Sequence, residues 1–162
     1  MVLYGPRYAS ALRCIGQVLE SHNIDFFELI TTESDEFIIE CGDPNPPYTG
    51  VLKLRFSLDS IKIIDRDNQA RRRQSKSDIR FDSLPELLRA TGKYVYTKRV
   101  ELRRLRYYGP SEGGHVELEY QTRAGDVQSE TLDMSIIRQI AVDMYKRRNQ
   151  ISNPIKPITR RN

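Results

Sequence analysis

Arginine and tyrosine crowd one stretch of this chain, Lys98-Arg99-Val100-Glu101-Leu102-Arg103-Arg104-Leu105-Arg106-Tyr107-Tyr108. Guanidinium groups neutralise phosphates and tyrosine rings stack on bases, so a strand of this composition is a candidate nucleic-acid contact. The plain alternative is an edge strand whose charges discourage sheet-to-sheet joining. Two denser basic clusters, Arg71-Arg72-Arg73-Gln74-Ser75-Lys76 and Lys146-Arg147-Arg148, close helical patterns, where the helix dipole favours cations. Such runs are either solvated helix ends or grips for a polyanion. The expected binding set is therefore Arg71, Arg72, Arg73, Lys76, Arg103, Arg104, Arg106, Tyr108, Lys146, Arg147 and Arg148.

Catalytic signatures are missing from the sequence. His22, near a helix end, and His115, beside Gly113-Gly114, stand in no nucleophile or metal spacing, and a general base needs a positioned partner. Gly113-Gly114 reads as a hairpin turn, since no lysine followed by serine or threonine makes it a phosphate loop. Asp65 and Asp67 point to different helix faces. Cys14 and Cys41 are too few and too far apart for a metal site or a disulfide framework and read as buried small hydrophobes. The expectation is a noncatalytic protein with no cofactor and no metal.

The elements that must position these residues follow from periodicity. Tyr8, Leu12, Ile15 and Leu19 share one face of a helix opening near Pro6, with Arg13, Gln17 and Glu20 directed elsewhere. Strands are predicted near 25–31, 37–41 and 51–58, with the Pro-rich stretch 43–50 as a loop. A weakly amphipathic helix carrying Ile61 and Ile64 then runs to the arginine triplet. Ser83 and Glu86 form a capping-box pattern ahead of a helix burying Leu84, Leu87, Leu88, Thr91 and Val95. Strands near 99–107, 115–122 and 127–132 come next. Asp133 is placed to cap a last helix striped with Ile136, Ile137, Ile140, Ala141 and Met144. Outward strand residues mix signs: Glu28, Glu40, Lys53 and Arg55 first, then Glu117, Glu119, Gln128 and Glu130, as cross-strand charge pairing would have them.

The order αβββα thus occurs twice. Leu12-Arg13-Cys14-Ile15-Gly16 is echoed 76 positions later by Leu88-Arg89-Ala90-Thr91-Gly92, which suggests an internal duplication. Gly16 and Gly92, each inside a helix, point to close approach of helix to sheet. The expected fold class is α+β: two αβββα repeats forming antiparallel sheet of about six strands, with helices packed on one face. The expected divisions are 1–73 for the first repeat, 74–81 for a basic polar hinge, 82–150 for the second repeat and 151–162 for an extended basic tail. No motif identifies a family. The αβββα order resembles that of the double-stranded-RNA-binding domain, which carries its lysines at the start of the closing helix, whereas the basic residues here lie at its end. Small secretion-chaperone-like folds resemble it as well, in combining helices with antiparallel strands, and imply a protein-binding role.

Charge is distributed unevenly: residues 1–69 sum to −5, 70–81 to +4 and 82–162 to +5. That polarity orients a protein on a polyanion, or draws its two halves together. No apolar run approaches the roughly 20 residues that span a bilayer, and Met1 to Pro6 lacks a secretory pattern, so no membrane partner and a cytoplasmic location are expected. The leading expectation is a protein that grips the phosphate backbone of DNA or RNA through basic helix ends. The alternative is an adaptor or chaperone-like module that binds another protein, or a second copy as a homodimer, through a sheet edge or an apolar helix face.

Overall fold

Alternation in most of the strands and a wide apolar stripe on the helices leave one economical packing, a sheet covered on a single face. The computed structural model describes residues 7–20, 24–42, 51–74 and 82–152, with the backbone alone described for 68–74 and 148–152. The expected hinge, apart from Gln74, and the expected tail beyond Ser152 lie outside the described residues, as do the loop 43–50 and His22. In chain order the elements are α1 (Arg7–Glu20), β1 (Phe26–Thr31), β2 (Glu36–Gly42), β3 (Val51–Ser57), α2 (Leu58–Gln74), α3 (Leu84–Lys98), β4 (Glu101–Tyr108), a 3-10 turn (Pro110–Glu112), β5 (His115–Gln121), β6 (Val127–Asp133) and α4 (Met134–Ser152).

The six strands form one antiparallel sheet in the order β3-β2-β1-β4-β5-β6. Its two halves join where β1 pairs with β4, Leu29 lying opposite Leu105, Glu28 opposite Arg106 and Ile30 opposite Arg104. The Arg-Tyr strand β4 is therefore central. Its charges do not guard an edge, which removes the alternative that the composition of the stretch suggested.

Helices α1 and α3 cross over the middle of the sheet, α2 flanks α1 beside β3, and α4 flanks α3 beside β6. Tyr8, Leu12, Ile15 and Leu19 of α1 are buried as the helical period requires, together with Leu87, Leu88 and Val95 of α3, Ile61 of α2 and Ile137 and Ala141 of α4. Phe27, Leu29, Phe37, Ile39, Leu102, Leu105 and Leu118 meet them from the sheet. Ile136 departs from its expected stripe and is 48% exposed. Among the described residues no helix is long and apolar enough to cross a membrane.

The helical glycines serve contact between helices, in place of the expected approach to the sheet. A Cβ on Gly92 would fall 2.6 Å from the backbone of Tyr8 and Ala9, and one on Gly16 would fall 2.8 Å from Cα of Pro85. The contacts are reciprocal: each glycine receives the opening turn of the other helix, so the two axes come closer than any side chain would allow.

Three local expectations are revised. Ser83 is the N-cap residue of α3, but its side chain makes no capping hydrogen bond, while Glu86 pairs with Arg89 at 3.4 Å. Arg13 is only 4% exposed and donates to Asp65 of α2 at 2.6 Å. Gln128 and Glu130 stand opposite Tyr120 and Leu118, so both belong to the helix-covered face. The cap at Asp133 forms as expected, its Oδ1 accepting from the Ser135 N–H at 3.2 Å.

Candidate binding surfaces of the sheet

Because every helix packs on one face, the other face of the sheet is left uncovered among the described residues. Period-two alternation brings Arg104, Arg106 and Tyr108 of β4 to this face, where they adjoin Phe26 and Glu28 of β1 and His115, Glu117 and Glu119 of β5. Arg103 sits at the β-bulge between Leu102 and Arg104, and its guanidinium donates to the side-chain oxygen of Gln121. The bulge is tied down from both sides, with the Leu102 N–H donating to the Tyr8 hydroxyl at 3.3 Å and the Leu102 carbonyl accepting from Thr31 Oγ1 at 2.7 Å.

The basic groups here are answered by carboxylates. Arg106 Nε donates to Glu28 at 2.6 Å and its Nη1 lies 3.7 Å from Glu117, while Arg104 Nη1 lies 3.9 Å from Glu28. The Glu28 hydrogen bond, foremost, holds the Arg106 guanidinium above its ordinary basicity. Beside this row Tyr108 stacks on His115 with centroids 4.3 Å apart and meets Phe26 at 5.0 Å. Its hydroxyl donates to Glu117 at 3.1 Å, and its pKa is raised, first by desolvation and then by that bond. Sequence reasoning singled out Tyr108 without Phe26 or His115, since only strand pairing places the three rings side by side. A shallow groove of about 320 Å3 runs alongside, bordered by Arg104, Arg106, Glu117, Glu119, Ser129 and Thr131. On this surface Arg104 and Arg106 each face a carboxylate.

The helix-end clusters stand apart from that face and from each other. Arg71, Arg72 and Arg73 fall in the last turn of α2, and Lys146, Arg147 and Arg148 in the C-terminal part of α4. Those helices lie at opposite edges of the sheet, on its one covered face. They also start at opposite ends of it, because β3 and β6 run antiparallel to one another in the strand order. Lys146 and Arg147 are exposed. The side chains of Arg71, Arg72, Arg73 and Arg148, and all of Lys76, lie outside the described residues.

The two sheet edges differ in a way that composition does not announce. At β6, Glu130 turns toward the helices and accepts from Tyr94 at 2.6 Å and from Lys98 at 3.1 Å. The Lys98 ammonium also donates to the Tyr120 hydroxyl at 3.1 Å and lies over the rings of Tyr94 and Tyr120 at 5.3 and 5.2 Å. Burial first, and Glu130 second, raise the Tyr94 pKa, whereas hydrogen bonding to Tyr120 first raises that of Lys98. An inward-pointing charge of this kind blunts an edge. At β3 the equivalent helix-side positions are Leu52 and Leu54, opposite Cys41 and Ile39. They are half-buried where Cys41 and Ile39 are buried, while Phe56, further along the same face of β3, is buried. Exposed apolar residues do not distinguish the edges: Val51 of β3 and Ile63 of α2 are 71% and 60% exposed, and Val127 of β6 and Ile136 of α4 are 61% and 48% exposed.

Among the described residues no three His, Cys, Asp or Glu side chains gather as metal ligands. Compared with known proteins, the chain matches no family model, no curated protein and no solved structure.

Proposed function

We propose that the protein is a noncatalytic protein-binding module that receives its partner at the edge strand β3. The contrast between the edges carries this reading. Among the described residues neither outer strand has a further partner, but β6 holds an inward carboxylate locked to Lys98 and Tyr94, whereas β3 sets half-covered leucines in the corresponding positions. An open edge offers main-chain donors and acceptors to a partner strand, and side-chain pockets beside them confer selectivity. The reciprocal glycine contacts between α1 and α3 support reading the halves as copies of one unit, of which the second carries an inward carboxylate at its edge strand. A photo-crosslinking residue at position 51 tests the site against the same group at position 127 on β6. Adducts with another protein are expected from position 51, and are expected to disappear in the Leu52→Glu/Leu54→Glu variant. Adducts from both edges, or from neither, overturn the proposal.

A second reading, nucleic-acid binding through the helix ends, is favoured by Lys146 and Arg147, which are exposed and have no carboxylate partner among the described residues. It predicts oligonucleotide affinity that falls steeply with salt and drops further in the Lys146→Gln/Arg147→Gln variant. Salt-indifferent binding, or none, rejects it.

A further inference from the structure

Resting on the reading of β3 as the docking edge, we infer that the partner contributes an extended segment in which acidic and apolar residues alternate, and that this segment belongs to a different protein from this chain. The argument begins with parity. In β3, Lys53 and Arg55 face the open side of the sheet, and Leu52 and Leu54 face the helices. A strand added at this edge keeps the pleat, so its alternate residues fall opposite the two cations and the rest fall over the leucines.

The cations retain capacity for such a partner. Lys53 and Arg55 are 52% and 60% exposed, and their contacts with Glu40 and Glu36, each 3.6 Å, lie on the β2 side. That separation exceeds a hydrogen bond, so donors on both groups are available toward the side of β3 on which no described strand pairs. The leucines retain capacity as well, since Leu52 and Leu54 pack against the core but are only partly buried. Carboxylates opposite Lys53 and Arg55, with aliphatic side chains over Leu52 and Leu54, satisfy both faces at once.

Neither edge of a second copy has that pattern. Another β3 would set Lys53 and Arg55 against their own counterparts, and like charges directly opposite are unfavourable. A β6 strand would bring Ser129 and Thr131 to the cations and the Gln128 and Glu130 side chains onto the leucines. Edge-to-edge homodimerisation through β3 is therefore disfavoured by the same residues that select the partner.

The test uses the full-length chain and labelled synthetic peptides in which valine alternates with glutamate, or with lysine, read by fluorescence anisotropy. The glutamate peptide is expected to bind about tenfold more tightly than the lysine peptide, from two cross-strand charge contacts. That preference should shrink toward unity in the Lys53→Gln/Arg55→Gln variant, whose thermal melt confirms that it folds. N-methylation of alternate peptide amides should abolish binding. Equal affinity for the two peptides, no binding of either, or indifference to N-methylation overturns the inference. If the peptides fail while crosslinking from position 51 still depends on Leu52 and Leu54, the docking edge stands and the partner chemistry falls. If both fail, the binding reading falls with it.

Discussion

Arg13 sits on a face of α1 that helical periodicity assigns to solvent, yet α2 folds over it and supplies Asp65. Removing one member of such a pair strands the other charge. Asp65→Ala is therefore expected to cost about 3 kcal/mol in chemical denaturation, with the double change Arg13→Met/Asp65→Leu recovering most of that loss. Tyr8 carries a second hidden role. Its ring is part of the apolar stripe, as its spacing indicates, but its hydroxyl serves the Leu102 N–H at the β4 bulge. Tyr8→Phe should cost about 1–3 kcal/mol because a buried donor is left unmet. Gly92→Ala should destabilise by about 1–3 kcal/mol through overpacking against α1. Gly42→Ala, where nothing lies within 4 Å of the added carbon, provides a control expected to change stability by about 0.5 kcal/mol or less.

Among the elements, β6 and α3 are joined by ionisable groups, which makes their association sensitive to alkali. Tyr94 and Lys98 both titrate above their ordinary values of 10.0 and 10.5 in the folded protein. A raised folded pKa means a stabilising contribution that is complete below the unfolded value and lost as pH climbs through the folded one. Tyr107, raised chiefly by burial, acts in the same direction. Unfolding midpoints in urea are thus expected to hold steady near neutrality and to fall above about pH 10. Tyr94→Phe should make that fall shallower, and an identical alkaline profile in the variant would refute the assignment. The identities of Tyr94, Lys98 and Glu130 were visible from the start. Their convergence was not, because Glu130 belongs to whichever face its register with Leu118 dictates, and a strand with polar residues on both faces gives no alternation to read.

At the scale of the molecule, β1–β4 pairing and the α1–α3 crossing make the halves mutually dependent. Unfolding should therefore follow one cooperative transition. In hydrogen exchange, Gly92→Ala should weaken protection in β2 and β5 alike, while protection lost from β5 alone would show that the halves fold separately. The open face bears on the charge asymmetry of the chain. Glu28 of the acidic half is placed against Arg104 and Arg106 of the basic half, so part of the opposite charge is consumed inside the structure. The α+β class, the six strands, the four helices and most buried positions were legible in the sequence, because alternation and helical period are local consequences of backbone geometry. Strand order, the central place of β4, the partners of Arg13 and Glu130, and the difference between the two edges came only with the tertiary structure. Those properties depend on which distant segments lie side by side, and that is decided by the mutual packing of all the apolar faces, which no local pattern encodes.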